Sequence, residues 1–349
     1  MKTRAAAELL SFIENNALFA QGDRVLAGIS GGADSTFLLY CLKAWQPLYG
    51  LFLRVIHVNH GLRAEAAEDE AFVRACCAEL DIPFEAVAVD IPAYRATHPV
   101  GIEEAARELR HEAFRRAAQA WDAEVEQETG AKGRPARICL AHHLQDQAET
   151  VLFRLARGTS LKGLTGMQPA AGRLVRPLLA LSRAEIEEGL REAGLSWRED
   201  ESNASDAYTR NRIRHNILPL LEEEVNGGAA QHIAATAREL GEIQTYLEEQ
   251  TKALYESARM PRTGGQAGEE ALRVRCLLEA PPLLADRVLH RAMAEAAGGA
   301  EDITRTHVED VRKLLSGKER AAISLPRGVR AVRDYGQLYF EKDDRRRPG

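Results

Sequence analysis

Arg24-Val25-Leu26-Ala27-Gly28-Ile29 leads directly into Ser30-Gly31-Gly32-Ala33-Asp34-Ser35, and that into Thr36-Phe37-Leu38-Leu39-Tyr40-Cys41-Leu42. The first run is short, apolar and bounded by turn residues, which predicts a buried strand. The last is apolar enough for a buried helix. The two glycines between them can take backbone angles closed to other residues and let a ligand approach the main chain. Strand, glycine turn and helix N-terminus together make an anion site, because the first N–H groups of a helix lack partners and its dipole presents a positive end. No lysine follows, which excludes the GxxxxGK[ST] phosphate loop. Asp34 and Ser35 are also good helix caps, so this stretch alone specifies an anion site and no substrate.

Outward from the loop, helices and strands alternate. Residues 4–20 read as a helix, 51–58 as a strand, 65–80 as a helix and 84–91 as a strand. A helix at 102–121, a polar surface loop at 122–135, a strand at 137–141 and a helix at 145–157 follow. The alternation predicts the α/β class, with a doubly wound, mostly parallel sheet. Ligands of such sheets bind beyond the carboxyl ends of the strands. The polar clusters at 30–35, 57–63 and 142–147 are therefore expected in one crevice. A glycine-punctuated loop at 158–167, a short strand ending at Arg176-Pro177-Leu178-Leu179 and a capping box at Ser182–Glu185 complete a first domain over 1–220. Asn226-Gly227-Gly228 marks a break. The second domain, 226–349, reads as mainly helical, with helices at 229–257, 282–297 and 304–315, a loop at 261–268 and a small β element over 322–340.

Composition narrows the function classes. With 349 residues, 45% of them hydrophobic and 28% charged, the chain has the make-up of a soluble globular protein of two or three domains. Its apolar runs fall short of a membrane span, and the N-terminal stretch lacks the apolar core of a secretory signal. Five cysteines without a CxxC pair fit buried thiols in a reducing cytoplasm. The net charge of −6 argues against a simple electrostatic nucleic-acid binder, but residues 305–349 carry 12 Lys/Arg against 7 Asp/Glu. Arg210-Asn211-Arg212-Ile213-Arg214-His215 forms a second cationic cluster.

The hexapeptide resembles the SGGxDS signature of the ATP pyrophosphatases, the PP-loop enzymes of adenine nucleotide alpha hydrolase-like fold. With it stand HVNHGLR (57–63), EEAARELR (103–110), AHHLQDQAET (141–150), RGTSLKGLTGM (157–167), RPLL (176–179) and RNRIR (210–214). In this order and spacing, nearly the whole of the first 220 residues is similar to the tRNA(Ile)-lysidine synthetases. The resemblance implies a cytoplasmic ligase that consumes ATP and free L-lysine and acts on a tRNA(Ile) with a CAU anticodon. ATP adenylates the carbonyl oxygen of the first anticodon cytidine and releases pyrophosphate. The lysine ε-amine then attacks the same carbon and displaces AMP, which changes codon reading from AUG to AUA. No membrane partner is implied, and a homodimer is left open.

The residues fit that chemistry. Ser30, Gly31, Gly32, Ala33, Asp34 and Ser35, with His57 and Arg63 after the second strand, are the expected nucleotide pocket. Asp34 and Asp146 are the expected Mg²⁺ ligands, since magnesium pairs one or two carboxylates with phosphate oxygens. Asp34, Asp146, Glu149 and His142 are the catalytic candidates. The amine nucleophile has a free pKa near 10.4 and must lose a proton, and sequence does not rank these candidates with His143 as base or ammonium ligand. Arg107, Arg110, His143, Arg210, Asn211, Arg212 and Arg214 are the expected substrate and tRNA contacts. Two positions depart from the family pattern: Gln145 stands where HHxDDQxET has its first aspartate, and His111 replaces a tyrosine. A PP-loop thiolase, which carries cysteine pairs, and a non-catalytic nucleotide- and RNA-binding protein are the alternatives.

Overall fold

A computed structural model describes residues 3–59, 66–199, 209–266, 269–317 and 319–342. The chain divides into two compact units, Met1–Gly241 and Glu242–Gly349. In order, the first holds α1 (Arg4–Asn15), β1 (Arg24–Gly28), α2 (Ala33–Tyr49), β2 (Phe52–Asn59), α3 (Ala66–Glu79), β3 (Phe84–Ala88), α4 (Ile91–Thr97), α5 (Ile102–Thr129) and β4 (Arg137–Cys139). Then come α6 (Leu144–Ala156), α7 (Leu161–Leu164), β5 (Ala170–Ala171), β6 (Leu174–Val175), α8 (Arg183–Glu192), α9 (Thr209–Arg212) and α10 (Leu218–Glu224). The next helix, α11 (Ala229–Ala258), contains the division between the units.

The sheet has the order β3-β2-β1-β4-β6-β5, parallel except for the terminal β5–β6 pair. This is the doubly wound α/β arrangement that the alternation predicts. Side chains of β1 alternate between two cores, as the period of a strand buried on both faces requires. Val25 and Ala27 join the core beneath α1, α2 and α8, while Leu26 joins Phe114, Ala118 and Trp121 of α5. Gly28 makes the second packing possible: a Cβ there would stand 2.7 Å from Phe114 Cζ. From β1 the chain builds outward through β2 and β3, then returns along α5 to β4 on the other side. The resulting switch point, where such sheets bind ligands, lies between the ends of β1 and β4.

Three local readings are corrected. The stretch 122–135 is not a loop throughout, because α5 continues to Thr129 and closes on Gly130 at φ 69°. Trp121 is buried, and Asp122 is gripped by Arg24 at 2.8 Å, by the Ala136 N–H at 2.9 Å and by Arg173. Long-range pairing thus keeps a polar sequence helical. The third strand ends at Ala88 rather than 91. Asp90 caps α4 by accepting from Ala93 N at 2.9 Å, with a proline in the first turn. Finally, α1 stops at Asn15, and Ala17 takes a positive φ of 46°.

The second unit adds β7 (Arg259–Pro261), β8 (Glu270–Arg273), α12 (Val274–Glu279), α13 (Pro282–Ala297), α14 (Arg305–Leu315), β9 (Ala321–Leu325), β10 (Val329–Asp334) and β11 (Gln337–Lys342). Its helices pack on an antiparallel sheet of order β7-β8-β11-β10-β9 through a core that includes Val288, Leu289, Met293, Val311 and Leu338. The helical reading with a terminal β element holds. The two strands before α12 were not legible, since each is short: β7 pairs only with β8, and β8 finds its other partner, β11, far along the chain.

Candidate active site

The loop after β1 is held by two hydroxyls at the start of α2. Ser35 Oγ accepts the N–H groups of Ser30 at 3.2 Å and Gly31 at 3.1 Å, and donates to Gly32 O at 3.1 Å. Thr36 Oγ1 donates to Gly31 O at 3.2 Å, and Gly31 sits at φ 97°. The helix cap is Gly32, which supplies no side-chain acceptor. The first N–H groups of α2 therefore remain open to an anion, with the positive end of the helix behind them.

Asp34 stands in the first turn of α2. Its Oδ1 is buried without a hydrogen-bond partner, and its Oδ2 lies 3.8 Å from His143 Nε2. Burial pushes the carboxyl pKa up, with His143 pulling against it and Asp146 adding to the rise. A carboxylate oxygen left like this beside an open helix N-terminus is short of a cation, and fits Mg²⁺ with phosphate oxygens as the other ligands.

The second wall comes from β4 and α6. His143 caps α6 and forms a capping box with Asp146, whose Oδ2 accepts from His143 N at 3.1 Å. Gln145 Oε1 lies 3.1 Å from His143 Nδ1 and accepts from Arg183 N at 3.1 Å. An amide oxygen there still ties the cap of α6 to α8. His57 is buried with Nδ1 2.9 Å from Ile29 O, so that nitrogen carries the hydrogen and donates to the end of β1.

A third element closes on α6. A π-helical turn (Ile213–Ile217) joins α9 to α10, and Arg212 and Leu218 on either side have right-handed helical angles. The wider turn sets Arg210 and Arg214 toward α6. Arg214 donates to Glu149 Oε1 at 2.6 Å and to Asp146 Oδ1 at 2.8 Å; Arg210 donates to Glu149 Oε2 at 3.0 Å and to Asp146 Oδ1 at 3.2 Å. Glu149 is wholly buried. Burial alone would raise the Asp146 carboxyl, but His143, His142, Arg210 and Arg214 outweigh it and hold the pKa well below the usual range.

Comparison with known proteins adds to this geometry. The PP-loop domain model matches residues 1–221, and the TilS substrate binding domain model matches residues 272–339. The chain is 36% identical over 336 residues to the tRNA(Ile)-lysidine synthase of Geobacter sulfurreducens, an alignment covering 95% of this chain and 68% of that protein. It is 38% identical over 322 residues to the enzyme of the same name from Leifsonia xyli subsp. xyli, covering 92% and 90% respectively. The chain belongs to the tRNA(Ile)-lysidine synthase family. A solved U34-tRNA thiolase, NcsA from Methanococcus maripaludis, aligns with a TM-score of 0.54 and 17% identity over 68% of this chain and 78% of its own, a likeness of fold.

In this member of the lysidine synthase family, the expected site residues divide. Ser30–Ser35, His57, His142, His143 and Asp146 gather at the ends of β1, β2 and β4, as expected of one crevice. Arg63 lies outside the described residues. Asp146 and Glu149 are not free acids: both are bound by Arg210 and Arg214, which were expected on RNA. Of that cluster, Arg212 stays exposed and donates to Thr209 Oγ1 at 3.1 Å, while Asn211 is half-buried. His142 does not suit a base for an amine. Burial, with help from Arg176, Arg210 and Arg110, lowers its pKa to about 3 against the pull of Asp146. Sequence reasoning also missed Arg198, whose N–H donates to Gly31 O at 3.0 Å and holds the loop from the far side. It gave no signal because 167 residues separate the two.

Proposed function

We propose that the chain ligates L-lysine to the first anticodon cytidine of a CAU-anticodon tRNA(Ile), with ATP as activator, and that its residues divide the work as follows. As a lysidine synthase, the protein is an ATP-dependent ligase. The N–H groups at the start of α2 receive the ATP phosphates and stabilise charge developing on the leaving pyrophosphate. Asp34 would hold Mg²⁺, which supplies charge neutralisation between those phosphates. The cytidine carbonyl oxygen attacks the α-phosphorus, and the bond to pyrophosphate breaks. The lysine amine then attacks the same ring carbon, and AMP leaves with the carbonyl oxygen.

Asp146 and Glu149 already hold two guanidinium groups. Two cations against two carboxylates leave no net charge for the lysine ammonium, so this cluster fixes the wall of the site. His143, buried between Asp34 and Asp146, is the base that the site offers for the amine proton, because His142 is too weakly basic. The thiolase alternative is not favoured. Cys41, Cys77 and Cys139 are buried in the core, and burial pushes their thiols up, Cys77 to about 12, so they are poor nucleophiles at neutral pH. The open helix N-terminus beside the unpartnered Asp34 Oδ1 is the observation that carries this reading.

The direct test is incubation with ATP, Mg²⁺, radiolabelled lysine and CAU-anticodon tRNA(Ile). ATP-dependent label in the tRNA is the expected result; none, while ATP binds, would refute the reading.

A further inference from the structure

Arginines in the first unit mostly end on carboxylates. Arg24 and Arg173 meet Asp122, Arg54 meets Glu124, Arg198 meets Glu68 and Asp69, and Arg210 and Arg214 meet Asp146 and Glu149. Four others have no carboxylate partner among the described residues and sit together. Arg107 and Arg110 project from α5, Arg154 from α6, and Arg176 follows β6. Arg107 lies within electrostatic reach of the other three.

The group is built rather than loose. Arg154 donates to Gly163 O at 3.0 Å and Gly166 O at 2.8 Å, and Arg176 donates to Gln168 O at 2.9 Å. The Arg176 Nε is buried without an acceptor. Arg110 keeps its surface open to solvent although protein crowds around it, as in the wall of a cleft. His111 and His142 border the group as neutral rings, with pKa values lowered to about 4 and about 3, so they add no charge of their own. Asp146 and Glu103 act on Arg110 without an ion pair to it, but four like charges brought together still cost free energy in the free protein, and an anion would recover it. The guanidinium fork matches phosphate oxygens in pairs.

We propose that Arg107, Arg110, Arg154 and Arg176 form a phosphodiester site that grips the anticodon-loop backbone of the tRNA. The assignment rests on the ligase reading above, in which the ATP phosphates occupy the start of α2 and leave these four to the RNA. Arg154 and Arg176 are the new members, and the carbonyls of Gly163, Gly166 and Gln168 hold one corner of each guanidinium in place.

The test measures binding of the full chain to CAU-anticodon tRNA(Ile) from about 50 to 200 mM salt, and ATP binding in parallel. Arg107→Gln and Arg176→Gln should each weaken tRNA binding and lower the slope of log affinity against log salt by about 1. ATP affinity should stay unchanged, which also reports an intact fold, and Arg176→Lys should keep the slope. Unchanged slopes in both glutamine variants overturn the site. An equal loss of ATP affinity in exposed Arg107→Gln also overturns it, by giving these arginines to the nucleotide. The ligase reading is judged separately by lysine incorporation in the wild-type chain.

Discussion

Two arginine groups lie within the same unit and have opposite surroundings. Arg210 and Arg214 are closed onto Asp146 and the fully buried Glu149, two cations against two carboxylates. Arg107, Arg110, Arg154 and Arg176 have carbonyls or solvent instead. Sequence alone made RNA contacts of members of both groups. The structure separates them by counter-charge: a satisfied guanidinium positions its neighbours, and an unsatisfied one awaits a ligand.

The sharpest way to break this comparison is to remove the shared acid. Glu149→Ala leaves Arg210 and Arg214 sharing Asp146 alone in a half-buried site and should cost about 3 kcal/mol in urea unfolding. A cost no larger than that of Arg107→Ala would erase the distinction. Next in size is Asp34→Ala, which removes an oxygen that holds no hydrogen bond in the free protein. Pyrophosphate release should fall by at least about 100-fold with an unchanged melting temperature, and wild-type release would remove Asp34 from the site.

Acid stability probes the histidine between the two groups. In the folded chain burial lowers the His142 pKa to about 3 from an ordinary 6.5, so the unfolded chain binds the extra proton between those values. Stability should be complete above pH 6.5 and fall by about 1.4 kcal/mol per pH unit below it from this group. Asp146, lowered instead, keeps its full contribution above its ordinary value of 3.8 and loses it as the pH falls below that. Unfolding at pH 7, 6, 5 and 4 should show a flatter decline for His142→Gln than for the wild type; equal slopes would show that the ring is not held neutral. The smallest effect is expected at Arg107→Ala, within about 0.5 kcal/mol of wild-type stability, since Arg107 is exposed and holds no carboxylate.

How much was legible follows from range. The hexapeptide at Ser30–Ser35, the alternation of apolar runs and the His142-His143 pair are local, and they specified the sheet and its ligand-binding edge. Gln145 read as a lost carboxylate, yet its Oε1 still accepts from Arg183 N, a link visible only once α6 and α8 pack. The helical continuation past Trp121 depends on Asp122 meeting arginines 98 and 51 residues away. The π-helical turn has no sequence period of its own, so the inward turn of Arg214 could not be read. The clamp on Glu149 and the unpaired group around Arg107 are both tertiary, and identical arginines carry no mark of which they will join.

The central claim is adenylation at the α2 N-terminus, and the most direct measurement omits lysine. The chain is incubated with CAU-anticodon tRNA(Ile), Mg²⁺ and ATP labelled either at the α- or at the γ-phosphate. The account predicts α-label on the tRNA, pyrophosphate release that requires the tRNA, and loss of both in Asp34→Ala. Transfer of the γ-label, or pyrophosphate release indifferent to tRNA, would contradict it.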